Sequence, residues 1–504
     1  MNLIKTVCLA VVLVLFQIIP AYAEIKPEKV MKQRWYEIVT PNFKVLADTG
    51  EKAATNLAVD LERFHAMIAL FYGRELPELR PVTLIATQRN NTYDFLYGDR
   101  EAARKTGGFF MDSINGNFAV VRASRRTQDS NLNILLHEYT HYFSANITTS
   151  NAPLWYREGI AEFLGETEFK DDQVINYGKP NYRHLAYLNN KSWMPLRELM
   201  GIRKLNIKEA KKDKIRKFYS QSWLFVHFLH FDPKVMNKRE GFMKSLAEGD
   251  SPADAVQKVF GVDLETLDGR LKLYMKRKAR QYARLTLENP LATKEISVRK
   301  LAPQEIAFNL GYFTLQARGS QEQARPFFIA ALTGQDNKAS ALAGLANTYL
   351  GSDLAEMDRL ISKAKVADEG NPWVATVSGH LNRTFMEKAT NQEEVDAYWN
   401  LAIRDYNKAI IAEPTNIEAI LSATGMYGNR GRWEEHLELS EVLYEIAPSN
   451  YVVRTNLILS YLRNNQMEAA AKVADLIRRH HHLSARAIEQ FERWYDEQRN
   501  AQEN

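Results

Sequence analysis

Two histidines and a glutamate lie within five residues of one another, in the sequence H-E-Y-T-H at residues 137–141. The surrounding pattern predicts a helix over Leu132–Ser144. Residues four apart on a helix share one face, so the imidazoles of His137 and His141 can reach one metal ion. Glu138 lies about 100° further round, where its carboxylate can act on a water molecule without binding the metal. The spacing predicts a zinc site that needs a further protein ligand.

A pair of carboxylates follows on the next predicted helix, in the sequence W-Y-R-E-G-I-A-E at residues 155–162. Glu158 and Glu162 are four residues apart, so both side chains face the same way. One can complete the metal ligands while the other accepts the free N–H of a ligand histidine. Gly159 costs about 1 kcal/mol relative to alanine inside a helix, which indicates that two helices approach closely there. The alternative, two unrelated histidines on a surface helix, does not account for this second cluster.

The motif H-E-Y-T-H is followed, after sixteen residues, by E-G-I-A-E. This arrangement resembles the gluzincin metallopeptidases, whose third zinc ligand is a glutamate on a following helix. The resemblance implies a Zn2+ cofactor held by His137, His141 and Glu158, with Glu162 as the outer partner of a ligand. Residues 33–280 are similar as a whole to the peptidase MA-like group of bacterial gluzincins. That similarity implies an α+β zincin-like (gluzincin) catalytic domain with a helical subdomain.

The chemistry that this family implies is hydrolysis of a peptide bond. Zinc lowers the pKa of a water molecule toward about 7, and Glu138 takes a proton from the water and delivers it to the leaving amine. Gluzincins often stabilise the oxyanion with a tyrosine of the helical subdomain, which makes Tyr219 the candidate donor; a tyrosine packed in the helical core is the alternative. Residues 107–111 lack the glutamate that binds a substrate's amino terminus in the aminopeptidase branch, which favours an endopeptidase.

A predicted hairpin precedes the metal-binding helix. Two apolar runs flank Asn-Gly at residues 115–116, a strong hairpin signal. An extended peptide can bind by adding a strand at an exposed sheet edge. We therefore expect the second strand, with Phe118, Ala119 and Val120, to bind the substrate; an edge closed by another strand is the alternative.

The first 23 residues predict a secretory signal peptide. Lys5 precedes an apolar run over residues 8–19, and Ala-Tyr-Ala ends at Ala23, where we expect cleavage. The alternative is an anchor that stays attached. Cys8 is the only cysteine of the chain, so the mature protein has no disulfide, which fits a bacterial periplasm.

The composition of the chain restricts the classes of partner that we expect it to bind. A net charge of +5 over 504 residues is too small to argue for nucleic acid. No second apolar stretch reaches about 18 residues, so we expect no stable membrane span after signal cleavage.

The last third of the chain contains repeats with a period of 34. Pro414 and Pro448 are separated by this interval, and so are Tyr427 and Tyr461. The period resembles the tetratricopeptide repeat (TPR), which implies an all-α TPR solenoid of about five units with one lengthened near residues 384–394. A plain helical bundle is the alternative. Such solenoids bind peptides or helices in a groove.

The predicted organisation is therefore a signal peptide (1–23), an α/β zincin-like metal-binding subdomain (24–165), a helical subdomain that completes the peptidase (166–288), a linker (289–303), tetratricopeptide repeats (304–490) and a C-terminal tail (491–504). The function expected from these parts is an exported periplasmic zinc metallopeptidase, acting on a protein or peptide substrate, whose repeats hold the substrate or a protein partner. Two alternatives remain: a non-catalytic assembly factor with a vestigial zinc site, and a zinc amidase acting on cell-wall peptide.

Overall fold

The structure is a computed structural model. It describes residues 25–73, 81–104, 106–113, 116–123, 132–147, 152–190, 193–203, 212–287, 295–334, 338–478 and 485–503. The predicted signal peptide and its cleavage site lie outside the described residues. Within the described ranges, no helix combines the length and the apolar character that crossing a membrane requires.

The N-terminal region is a mixed sheet with helices on both faces. Its elements in chain order are α1 (Pro27–Met31), β1 (Tyr36–Val39), β2 (Phe43–Ala47), α2 (Glu51–Tyr72), β3 (Val82–Thr87), α3 (Asn90–Tyr97), α4 (Arg100–Ala103), β4 (Gly108–Ser113), β5 (Gly116–Arg122), α5 (Leu132–Ile147) and α6 (Leu154–Gly165). The helix predicted over Leu132–Ser144 is present as α5, and the two predicted hairpin strands are β4 and β5.

The sheet has the strand order β4-β5-β3-β2-β1-β9, in which β9 is the later strand Ser297–Lys300. Strands β2, β3 and β5 are parallel to one another, and β4 and β1 pair antiparallel with their neighbours. Alternate side chains face opposite sides, so Val45, Leu84 and Ala119 join the core beneath α2 and α5, whereas Ile85 and Val120 face the other way. The sheet therefore has a buried core on both of its faces.

Strand β5 is not an edge strand, which contradicts the prediction that Phe118, Ala119 and Val120 present an open edge to substrate. Its residues pair with β3 on one side and with β4 on the other. The side chain of Phe118 is buried, with its ring 5.5 Å from that of Phe313. Among the strands that the structure describes, the edge at this end of the sheet is β4.

The middle region is mainly helical but also contains a small sheet. Its elements are β6 (Glu168–Phe169), β7 (Val174–Tyr177), α7 (Tyr182–Asn190), α8 (Leu196–Gly201), α9 (Lys212–Phe231), a 3-10 turn (Met236–Lys238), α10 (Arg239–Ala247), α11 (Pro252–Phe260), α12 (Leu264–Arg277), β8 (Ala283–Thr286) and β9 (Ser297–Lys300). Strands β6, β7 and β8 form the small antiparallel sheet.

The linker was predicted over residues 289–303, and part of it forms a strand of the main sheet. Strand β9 pairs antiparallel with β1, and Arg299 Nε donates to Glu37 at 2.7 Å. All four side chains of β9 are exposed, so the strand lacks the apolar alternation that would have revealed it. Residues 289–294 of the predicted linker lie outside the described ranges.

The C-terminal region is a row of helix pairs. These are α13 (Pro303–Gln316) with α14 (Gln321–Ala331), α15 (Lys338–Asn347) with α16 (Leu354–Ala367), α17 (Pro372–Lys388) with α18 (Gln392–Ala412), α19 (Ile417–Asn429) with α20 (Trp433–Ile446), and α21 (Tyr451–Arg463) with α22 (Met467–Arg478), followed by α23 (Ala485–Glu503). The third pair is the longest, as the insertion near residues 384–394 predicted. This part of the chain is an all-α solenoid.

The helix caps repeat with the pairs. Asn371, Asn416 and Asn450 each precede the first helix of a pair, and each side chain accepts a hydrogen bond from a backbone N–H of that helix. Asn416 and Asn450 are therefore equivalent helix caps, and they are 34 residues apart. The 34-residue period of the sequence is thus also a period of the structure.

Residues 491–503 are not a tail. They belong to α23, whose Phe491 and Tyr495 are buried against the last helix pair. The two aromatic residues are four apart, which places them on one helix face. This helix covers the open end of the solenoid, as terminal helices of repeat proteins do.

Helix α6 lies between α5 and α9, and a glycine permits its contact with α9. A Cβ atom on Gly159 would be 2.4 Å from the backbone oxygen of Ser222 and 2.6 Å from Cγ2 of Val226. The close approach predicted from Gly159 is therefore present, and the partner helix is α9. Because Tyr219 is also on α9, this contact sets the distance between Tyr219 and α6.

We expect Gly159→Ala to destabilise the protein by about 2 kcal/mol, because a methyl group there overlaps backbone that cannot move aside. Thermal unfolding followed by circular dichroism measures the effect as a lower Tm. Gly269→Ala in α12 is the matched control, since a Cβ atom added there would have no other atom within 4 Å and alanine favours a helix. Equal Tm values for the two variants would contradict this account of the α6–α9 contact.

Candidate metal centre

Three potential ligand atoms converge between α5 and α6. Nε2 of His137 lies 3.1 Å from Nε2 of His141, and Oε2 of Glu158 lies 3.2 Å from His141 Nε2 and 3.6 Å from His137 Nε2. Two atoms that each bind a tetrahedral zinc ion at about 2.0–2.1 Å are about 3.4 Å from each other. The triangle of donors thus has the size that zinc requires, and two imidazoles with one carboxylate are a donor set that zinc accepts.

The same contacts shift the pKa values of the ligands. Burial would lower the pKa of His137, but its hydrogen bond to Glu158 and the charges of Glu162 and Glu138 outweigh burial and raise the pKa to about 9. Burial opposes ionisation of Glu158, yet hydrogen bonds from His137 and His141 hold its pKa well below the usual range. Glu158 is therefore a carboxylate, the form that binds a cation.

Behind the ligands lies a chain of polar side chains. Oε1 of Glu162 is 3.6 Å from Nδ1 of His137, and Oε2 of Glu162 is 3.0 Å from Nε2 of His184. Nδ1 of His184 is in turn 2.9 Å from the hydroxyl of Ser220, which is fully buried on α9. Outer partners of this kind fix the orientation of a ligand imidazole. The role predicted for Glu162 thus has a matching contact, and the chain extends further than expected.

Glu138 faces the sheet edge. One row of side chains along α5 consists of Ile134, Glu138 and Tyr142, because each is four residues from the next. At one end of this row, Cγ2 of Ile134 is 3.4 Å from the Cβ position of Gly108. At the other end, the ring of Tyr142 lies 5.0 Å from that of Phe110. Glu138 is therefore beside β4, between its contacts through Gly108 and Phe110.

Strand β4 directs every second residue's backbone N–H and C=O toward its outer side. The backbone N–H of Arg122 donates to the oxygen of Gly107 at 2.8 Å, which makes these two residues a hydrogen-bonded pair. Because hydrogen-bonded and non-bonded pairs alternate in an antiparallel ladder, Phe109 and Met111 bond to β5. The backbone groups of Gly108 and Phe110 point away from β5, and those of Gly108 are already bonded to the hydroxyl of Thr106, which accepts from the N–H at 3.3 Å and donates to the oxygen at 2.5 Å.

Tyr219 is next to the ligands. Its ring centroid is 6.5 Å from that of His137, and the side chain is partly buried. Burial and the negative charges of Glu158, Glu162 and Glu138 raise its pKa above the usual range. The phenol therefore stays protonated and can donate a hydrogen bond.

The structure thus brings together His137, Glu138, His141, Glu158, Glu162 and Tyr219, and it leaves Phe118, Ala119 and Val120 outside the site. His184 and Ser220 were not predicted. They are 22 and 58 residues beyond Glu162, so no local spacing joins them to the motif. Strand β4 was recognised as a strand, but not as the edge.

Comparisons with known proteins return repeat proteins. No protein-family model matches the chain, and no curated protein matches it. Among solved structures, the chain is similar to TTC0263, a thermophilic TPR protein of Thermus thermophilus, at 16% identity over 39% of this chain and 98% of that one, with a TM-score of 0.32. It is also similar to MamA, at 17% identity over 35% and 91% of the two chains, with a TM-score of 0.26. TM-scores this low carry no argument by themselves, so the repeat architecture rests on the helix pairs and their caps.

We expect Glu162→Gln to weaken zinc binding by about 10- to 100-fold, because the ligand His137 loses a charged outer partner. Competition with a chromogenic chelator measures the affinity. Glu168→Gln, which removes a carboxylate paired with Lys170 and Lys179 on the small sheet, is the control and should leave the affinity unchanged. Parental affinity in Glu162→Gln would remove Glu162 from the site.

Proposed function

We propose that the protein is a zinc-dependent hydrolase that cleaves a peptide bond, and that its repeats bind a protein substrate or partner. The triangle formed by His137, His141 and Glu158 supports this proposal most directly, because its size and donor types suit zinc. A purely structural zinc site has four protein ligands, whereas the three donors found in the described part of the chain would leave a position open.

The proposed roles follow from the positions of the side chains. A zinc ion held by the three donors would lower the pKa of a water molecule toward about 7 and polarise the scissile carbonyl. Glu138 faces the sheet edge, where it can take a proton from the attacking water and return it to the leaving amine. Tyr219 keeps its proton and can donate it in a hydrogen bond to the developing oxyanion.

The edge strand β4 is the proposed binding site for the substrate backbone. An extended peptide pairing with β4 would use the outward backbone groups of Phe110, since those of Gly108 are bonded to Thr106. Such a peptide would run alongside Glu138, which lies between the two contacts that join β4 to α5. Residues 107–111 include no glutamate that could bind a substrate amino terminus, so we propose an endopeptidase acting in the periplasm, to which the predicted signal peptide directs the chain.

We expect Glu138→Gln to lower the rate of hydrolysis by about 10²–10⁴-fold while zinc stays bound, because the amide cannot accept the proton and is not a ligand. The measurements are cleavage of a fluorescently labelled unfolded protein and zinc content by atomic absorption. His141→Ala, which removes a ligand, is the comparison and should lose both activity and zinc. Undiminished cleavage by Glu138→Gln would exclude the proposed chemistry.

We expect Phe110→Pro to raise the KM for an unfolded protein substrate, because proline removes an outward backbone donor from β4 and leaves the bonds between β4 and β5 in place. The matched control is Phe110→Ala, which removes the same aromatic contact with Tyr142 and keeps the N–H. Equal KM values for the two variants would contradict the proposal that substrate pairs with β4.

The solenoid favours a second candidate, a protein-binding or assembly factor whose zinc site does not catalyse. Five helix pairs are present along residues 303–478, and such arrays bind proteins without any chemistry. This architecture supports protein binding more directly than it supports catalysis. Full function of Glu138→Gln in cells, together with loss of function when the helix pairs are altered, would favour this candidate. A zinc amidase acting on cell-wall peptide would instead show activity on that substrate and none on unfolded protein.

A further inference from the structure

A strongly basic segment lies outside the proposed catalytic and repeat surfaces. Residues 270–284 contain seven lysines and arginines and no acidic residue. The segment covers the second half of α12, the following turn and the first part of β8. We call its solvent-exposed side the basic face. The whole chain carries a net charge of only +5, so this concentration is local.

The geometry of α12 places the cations around one exposed leucine. Leu271 and Tyr274 are buried on the side of α12 that packs against α9, where the ring of Tyr274 lies 5.2 Å from that of Phe228. Leu273 is on the opposite side and is 54% exposed. Arg277 lies four residues beyond Leu273 on the same side of the helix, and Lys276 and Arg277 are both exposed.

Most of this charge has no internal partner. Lys272 pairs with Asp268 at 2.7 Å, and Lys278 approaches Asp232 at 3.5 Å. For Arg270, Lys276 and Arg277, no acidic partner is found among the residues that the structure describes. No acidic partner is found for Arg280 in that part of the chain either. Tyr282, two residues further along, is 45% exposed.

From these observations we infer that the basic face docks the protein on a bilayer that contains anionic phospholipid. Lysine and arginine near such a surface each strengthen binding about fivefold. Leucine and tyrosine add the apolar contact that a lipid boundary provides, and tyrosine is enriched there. A nucleic acid would satisfy the cations but would give Leu273 no favourable environment, so the central exposed leucine favours the bilayer.

Docking in this way would set the orientation of the metal centre. Helix α12 packs on α9, and α9 packs on α6, which carries Glu158. Because these helices pack on one another, binding through α12 would fix the orientation of α6 relative to the bilayer. The inference does not depend on catalysis, so Glu138→Gln should bind vesicles as the parent does.

The test is sedimentation with sucrose-loaded vesicles, using the chain from Glu24 onward so that the apolar run at residues 8–19 is absent. Binding to vesicles of phosphatidylglycerol and phosphatidylcholine is expected, with none to phosphatidylcholine alone and with release as salt rises. K276Q/R277Q should weaken binding about 30-fold, since each of two charges is worth about fivefold. Leu273→Ser should weaken it about tenfold at unchanged net charge.

The matched control is K363Q/K388Q, which removes two exposed lysines from the repeat helices α16 and α17 and should bind as the parent does. Equal weakening by the control and by K276Q/R277Q would overturn the inference, because net charge alone would then explain binding. Absence of binding to the anionic vesicles would also overturn it. So would binding to a single-stranded RNA or to polyglutamate without binding to vesicles.

Discussion

The candidate metal centre depends on two close helix contacts that glycines of α6 make possible. A Cβ on Gly165 would lie 2.9 Å from the backbone oxygen of Asn133 and 3.5 Å from Cβ of His137, so α5 and α6 touch beside a ligand. Gly159 does the same between α6 and α9. The two glycines are six residues apart, about 240° round the helix, so they serve different neighbours. Helix α6 is thereby held between the helix of the histidines and the helix of Tyr219 and Ser220.

This packing also explains how three carboxylates can be close together. Glu138, Glu158 and Glu162 would repel one another in a dry site, and burial alone would raise the pKa values of Glu158 and Glu162. The histidines offset the repulsion: His137 and His141 lie against Glu158, and His184 lies against Glu162. The pKa values of both glutamates are lowered as a result. The site is organised around positive charge, whether that charge is a proton or a metal ion.

The sequence predicted those parts of the site that depend on spacing along one helix. His137 and His141, Glu158 and Glu162, and the helix pairs with their 34-residue interval all follow from helical geometry. The role of β5 could not be found in this way, because a hairpin does not reveal which of its strands gains a further neighbour. One signal was available: residues 118–121 are an unbroken apolar run, which is typical of strands buried on both faces.

Other features had weaker signals or none. His184 reaches Glu162 only because the turn after β7 brings α7 back toward α6, and no periodicity encodes that. Strand β9 is four residues long and fully exposed, so only its pairing with β1 defines it. By contrast, Phe491, Trp494 and Tyr495 have helical spacing, and the last helix could have been predicted from them.

Helix α13 links the two halves of the molecule into one packing unit. On one side, Phe313 packs against Phe118 of the sheet. On the other side, the ring of Tyr312 is 5.4 Å from that of Trp373 in the third pair, and Gln316 donates a hydrogen bond to Glu418 in the fourth pair at 3.1 Å.

The outer face of the sheet needs this helix. Leu46, Ile85, Phe118 and Val120 are buried in the same cluster as Leu310 and Phe313 of α13, and without α13 they would form an exposed apolar patch. The first helix pair is therefore part of the core of the α/β region as well as the start of the solenoid. A protein bound by the repeats would be held at a fixed position relative to the sheet, because α13 begins directly after β9 and packs on the sheet itself. Such an arrangement suits a protein that holds one part of a partner while another part occupies the site beside β4.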